Sequence, residues 1–407
     1  MQWIQGGVTA AKGFQASAAA AAIKYEGRTD MAMIFSEFPC KAAGTFTKNV
    51  VKAAPVKWDQ HIVYDIGIAQ AVICNSGIAN ACTGALGYEA CERTARAAAE
   101  ILKISQDHVL VTSTGEIGRQ LPVDRLVKGT KLLAASLSSS EEAGTRAAQA
   151  IMTTDTHKKE AAVSFLVGDR LVTLGGMCKG SGMIHPNMCT MLSFLTTDAA
   201  ISQELLQEAL RSVVEDTYNM VSVDGDTSTN DTVLLLANGQ AKNQEICRKD
   251  EAYEAFRQAL YTVNEALAKQ IAGDGEGATA LFEVKITGAR TKEEARILAR
   301  SVVSSSLTKA AIYGHDANWG RILCAMGYSG ADFDPEKVDL WFESKAGKLK
   351  IIENGVSTGY DETEATRILS ENAVTALADI KEGDCQATAW GCDLTYDYVK
   401  INADYRS

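Results

Sequence analysis

Interleaved strand-like and helix-like runs predict a mixed α/β or α+β protein, not an all-α or all-β one. Three observations carry that prediction. Short runs rich in β-branched residues recur, such as AVIC at 71–74 and HVLVT at 108–112. A hairpin is signalled across 163–174, where VSFLV and RLVTL flank Gly168-Asp169, a glycine-first two-residue loop. Ser202 is placed to cap a helix whose residues Leu205, Leu206, Ala209, Leu210, Val213 and Val214 share one face, with Ile201 and Leu206 spaced as a hydrophobic staple.

Further along, MLSFLTTD at 191–198 reads as a short apolar strand ended by polar residues, and TVLLLA at 232–237 as another strand. A helix is predicted over 255–271, before glycine-rich 273–277. From about Phe282 the pattern restarts as a separate C-terminal lobe: strand FEVKIT, a helix around 293–303, a hairpin across 345–350, a helix near 362–377 and a final strand. No Pro-rich or Ser/Gly-rich linker divides the sequence.

With 407 residues the chain can bury cores for two or three domains. A net charge of −11 with dispersed acidic residues argues against nucleic acid and anionic membrane surfaces as partners, and leaves a small polar substrate compatible. No stretch approaches the roughly eighteen uninterrupted apolar residues of a membrane helix, and MQWIQGGVTAAKGF has no basic region leading into an apolar core, so a cytoplasmic location is expected. The ten cysteines show no CxxC pair or Cys/His spacing, which argues against zinc and for reduced thiols. Cys82 reads as a buried small hydrophobe and His157, followed by two lysines, as a solvated position.

The segment KGSGMIHPNMCTMLSFLTTD at 179–198 holds the candidate nucleophile, Thr190. A mid-chain threonine has a weak hydroxyl and no built-in base. Cutting the Cys189-Thr190 bond would leave a free α-amine, with an unperturbed pKa near neutrality, beside that hydroxyl. Gly180, Ser181 and Gly182, with Pro186 restricting itself and His185, suit a strained scissile peptide. The plainer reading is a Gly-rich turn before a buried strand, with His185 a structural histidine.

This segment resembles the autoprocessing site of the ornithine acetyltransferase family, also called the bifunctional arginine biosynthesis proteins. The resemblance extends over the whole chain: AGTFTKN at 43–49, CNSGIANACTG at 74–84, STGEIG at 113–118, MTTDT at 152–156, SVDGDTSTNDT at 222–232, GDGEGATAL at 273–281, NWGRI at 318–322 and the tail INADYRS. Cys189 stands where the family usually has alanine, Ala317 where it has proline, and Ser407 where threonine is common.

The resemblance implies a layered αββα sandwich of N-terminal-nucleophile type with a smaller C-terminal lobe, divided as 1–189, 190–281 completing the sandwich, and 282–407 with the tail returning to the site. It implies self-cleavage between Cys189 and Thr190, an acetyl-Thr190 intermediate, and an oxyanion hole from the Thr114 hydroxyl and the Gly115 backbone N–H. Substrate would be held by Thr153, Lys179, Thr190, Glu276, Asn402 and Ser407. The implied reaction moves acetyl from N2-acetyl-L-ornithine to L-glutamate without metal or organic cofactor. Some members also take acetyl-CoA as donor, and no feature of the sequence decides that point. Self-association as α2β2 is implied too. Two alternatives stay open: an amidase or aminopeptidase of related fold, and an uncut, catalytically silent binding protein.

Overall fold

The computed structural model describes residues 1–185 and 191–404. The described strands form two sheets. The first contains β1 (Gln2–Ile4), β2 (Phe14–Ala19), β3 (Met31–Phe46), β4 (Ile68–Asn75), β5 (Val109–Ser113), β6 (Lys159–Val167), β7 (Arg170–Lys179), β8 (Leu192–Thr197) and β10 (Thr232–Ala237). Their order is β1-β6-β7-β8-β10-β3-β4-β5, with β2 paired to β3. The second contains β9 (Val221–Ser222), β11 (Leu281–Ala289), β12 (Asp339–Ser344), β13 (Gly347–Glu353), β14 (Val356–Ser357), β15 (Ala373–Asp379) and β16 (Cys385–Cys392), ordered β14-β13-β12-β15-β11-β16-β9.

Both faces of the first sheet are covered. Helices α1 (Ala54–His61), α2 (Gly84–Leu102), α3 (Val123–Ala135) and α4 (Glu141–Ala150) contribute to one apolar core, and α5 (Gln203–Asp216) and α6 (Glu251–Gly273) to the other. Strand β10 shows why: Leu234 and Leu236 enter the first core, Val233 and Leu235 the second, the period of two expected of a strand buried on both sides. Helix α6 packs on β6 and β7 and also reaches β11 and β16, so it bridges the sheets. That layer order is not specified by the sequence pattern. The second sheet is backed by α7 (Lys292–Ser304) and α10 (Glu362–Leu369), with α8 (Ser306–Tyr313) and α9 (Trp319–Gly327) beside α7, and α11 (Tyr396–Asp404) ends the described chain.

Local expectations are met where the signal is local. The β6-β7 hairpin pairs Val167 with Arg170 around Gly168 at φ +61°. In α5 the Ser202 side chain accepts from Leu205 N, and the six expected apolar residues are its buried ones. Helix α6 starts before the expected 255 because Asp250 caps it through Ala252 and Tyr253 N–H.

Two expectations are corrected, the first being the helix near 362–377, which stops at Leu369, while 373–379 is strand β15. This strand lies between β11 and β12, with Val374, Ala376 and Ala378 turned into the core. Partners on both edges outweigh the helical preference of alanine and leucine. Cys82 is also corrected, being exposed at φ +57°.

Candidate active site

Two loops following the parallel pair β4-β5 build the first wall of a cavity. Thr114 N donates to Asn75 O at 3.0 Å and Glu116 N to Gly77 O at 3.1 Å, which brings the two turns together. Gly115 between them sits at φ +129°, and a Cβ there would lie 2.3 Å from the Gly77 carbonyl carbon, so only glycine fits. Buried amides fix the pair. Asn75 Nδ2 donates to Ile78 O at 2.9 Å while its Oδ1 accepts from the Ser113 hydroxyl at 2.7 Å. Asn230 Nδ2 donates to Ala79 O at 2.6 Å and Ser113 O at 2.8 Å. The Thr114 hydroxyl and Gly115 N–H are left uncommitted among the described residues, and both residues line the cavity. Fixed donors facing a cavity are what a developing oxyanion requires.

The opposite wall is charged. Lys179, the last residue of β7, is 7% exposed and makes no ion pair within 4.0 Å among the described residues. Beside it lies a buried network that sequence reading missed, because Lys159 carries no local sign of burial after His157-Lys158. His157 is exposed, as expected, but Lys159 is fully buried. Its ammonium bonds Asp155 Oδ1 at 2.7 Å and also Asp274 Oδ2. Burial by itself would raise the Asp155 carboxyl, but the Lys179 and Lys159 charges, with hydrogen bonds from Lys159 and Thr153, hold it well below the usual carboxylate range. Burial opposes the Lys159 charge too, and the Asp155 and Asp274 carboxylates raise its pKa nonetheless.

The same carboxylates hold backbone. Thr153 N and Gly180 N donate to Asp155 at 2.9 and 2.7 Å, and Thr156 N donates to Asp274 at 3.1 Å. The Ser181 hydroxyl bonds Asp274 O at 2.8 Å, and Glu276 N bonds Ser181 O at 3.2 Å. Segments 153–159, 179–182 and 274–276 are therefore tied together. Glu276 lies against Gly182, whose Cβ would come 2.3 Å from Oε1, and Asn402 Nδ2 of α11 donates to Glu276 Oε2 at 2.8 Å. So α11 is tied to the site, although none of its described residues is buried.

Thr114, Gly115, Thr153, Lys179, Glu276 and Asn402 thus line one cavity, as do Met183 and Met191 on either side of residues 186–190. Cys189, Thr190 and Ser407 lie outside the described residues. The next strand, β8, begins at Leu192, two residues beyond Thr190. Asn75 and Asn230 have the structural roles given above, and Trp319 opens α9 as a packing residue. Asn230, Ser228 and Asp231 also line the cavity. The spacing of SVDGDTSTNDT alone carries no sign of that.

The sequence pattern of the ArgJ family matches residues 15–407. The chain belongs to the ArgJ family. Among relatives named arginine biosynthesis bifunctional protein ArgJ, that of Symbiobacterium thermophilum is 53% identical over the full length of both chains. That of Caldanaerobacter subterraneus is 49% identical, again over 100% of each. A crystal structure of ArgJ from Bacillus halodurans aligns at 47% identity and a TM-score of 0.51, covering 53% of this ArgJ-family chain and 100% of the solved one.

Proposed function

We propose that this chain is a self-cleaving glutamate N-acetyltransferase of arginine biosynthesis, taking acetyl from N2-acetyl-L-ornithine. One observation carries the reading: a cavity beside both flanks of the Thr190 stretch joins the Thr114 hydroxyl and Gly115 N–H, uncommitted among the described residues, to the carboxylate of Glu276 and to Lys179, a buried cation with no ion pair among the described residues. In the precursor the Thr190 hydroxyl attacks the Cys189 carbonyl, and water hydrolyses the resulting ester. The freed α-amine then serves as base while the hydroxyl attacks the acetyl amide. The oxyanion is met by the Thr114 hydroxyl and Gly115 N–H, ornithine leaves, and the glutamate amine resolves acetyl-Thr190. Lys179 pairs with a substrate carboxylate and Glu276 with an ammonium, while Thr153, Asn402 and Ser407 complete the contacts.

Two further observations support the cut. The solved Bacillus halodurans chain covers 53% of this one, about the share lying beyond position 189. Strand β7 before the stretch pairs with β8 after it from Leu174–Thr197 to Lys179–Leu192, and β10 pairs with β3, so the two pieces remain one folded unit. We divide the chain accordingly at 189/190, with a third region from 282, and take the associated unit to be α2β2. Acetyl-CoA as a second donor fits the relatives' name, bifunctional.

Incubation with N-acetylornithine, with and without glutamate, tests the reaction. Ornithine release should depend on glutamate and yield N-acetylglutamate. Release that ignores glutamate and yields only acetate would replace the transferase with an amidase.

A further inference from the structure

One segment, 222–232, holds the chain on both sides of the processing stretch. Upstream, Met183 N and Ile184 N donate to the two carboxylate oxygens of Asp224 at 2.6 and 2.8 Å, and Asp226 N donates to Asp224 Oδ1 at 3.2 Å. Val223 N donates to Ile184 O at 2.6 Å and the Thr227 hydroxyl to His185 O at 2.8 Å. Downstream, Thr232 N donates to Met191 O at 3.0 Å, where β10 begins beside β8.

The His185 ring belongs to the same grip. Arg300 of α7 can only donate, so His185 Nε2, 3.2 Å away, accepts; Nδ1 then carries the hydrogen and faces Ser222 Oγ at 3.0 Å. Met183 is held at φ +57°, a conformation unfavourable for a residue with a side chain, and the bonds that Met183 N and Ile184 N donate to Asp224 help to offset that cost. The Lys179-Glu276 wall has anchors of its own in Asp155 and Asp274. A hydroxyl and a carbonyl must meet at about 3–3.5 Å to react, so holding both ends of the intervening chain restricts the search for that geometry.

We propose that Asp224 and Thr227 are positioning residues for self-cleavage, acting through the backbone of 183–185. This rests on the reading that the Thr190 hydroxyl attacks the preceding carbonyl.

Cell-free synthesis of the full chain, sampled over time on denaturing gels, tests it. Thr227→Val keeps the shape and removes the donor to His185 O, and Thr227→Ser keeps the donor. Asp224→Asn keeps the shape but can accept only one of the two N–H bonds. Thr227→Val and Asp224→Asn should lengthen the half-time of cleavage by about tenfold or more, as small misplacements of reacting groups do. Thr227→Ser should cleave close to the wild-type rate, and kcat and KM per cut chain should be retained in all three. Wild-type cleavage in Thr227→Val and Asp224→Asn, or Thr227→Ser as slow as Thr227→Val, would overturn the proposal. Thr190→Ala serves as the separate control: normal cleavage there overturns the nucleophile reading, and slow Thr227→Val cleavage in the same series still supports the clamp.

Discussion

The two walls of the cavity are held by opposite means. The turns of the Thr114-Gly115 wall are held mainly by neutral groups, Asn75, Asn230 and a glycine contact with Gly77, with the Lys24–Glu116 ion pair at their edge. The Lys179-Glu276 wall stands on the buried Asp155-Lys159-Asp274 chain. A site for transient negative charge gains from fixed dipoles and needs no resident counter-ion, whereas orienting a permanently charged substrate requires buried charges, which must themselves be paired. Damage to the charged wall should therefore unfold the protein, and damage to the neutral wall should slow it.

The largest effect is expected from Lys159→Met, which leaves Asp155 and Asp274 buried without their shared cation. Breaking a buried pair on one side costs about 3–5 kcal/mol, and denaturant unfolding should show it. An unchanged unfolding midpoint would mean the network is not structural. Next comes Thr114→Val, isosteric and confined to the neutral wall. It should lower kcat on the order of a hundredfold with unchanged thermal unfolding, since one oxyanion donor typically contributes that much. Loss of stability comparable to that of Lys159→Met would erase the distinction between the walls.

The smallest effect concerns pH. Burial, then the neighbouring Arg300 charge, push His185 down to about 4 from 6.5, against the pull of Asp226. The unfolded chain therefore takes up this proton first, so the contribution is intact above pH 6.5 and is lost progressively as pH falls toward 4. Asp155 acts lower: its depressed carboxyl favours the folded state above the ordinary carboxylate range and loses that contribution only in strong acid. His185→Gln should flatten the stability profile between pH 4 and 6.5 and leave the acid limb in place. A variant profile that parallels wild type would assign the loss to other groups.

Much of this was legible from residue order. The Ser202 cap, the Gly168 hairpin and strand 232–237 follow from interactions within a few residues, and periodicity records such interactions. Thr114, Gly115, Thr153, Lys179, Glu276 and Asn402 were legible only through whole motifs, since each singly reads as a turn residue or a solvated group. Strand β15 was misread because its edges are satisfied by β11 and β12 from elsewhere in the chain. Lys159 was not singled out, because Asp274, the partner that closes its network, lies 115 residues away.

By itself, then, the sequence determined the mixed α/β class, most of the local elements and the family motifs whose residues Thr114, Gly115, Thr153, Lys179, Glu276 and Asn402 line one cavity. The tertiary structure alone decided how that cavity is held: neutral amides behind Thr114 and Gly115, a buried charge chain behind Lys179 and Glu276, and Asp224 and Thr227 bonded to the backbone of 183–185. The physical reason is range. Caps, turns and periodicity act between near neighbours, whereas pairing a buried charge or satisfying a buried N–H depends on whichever distant group folding brings within about 3 Å.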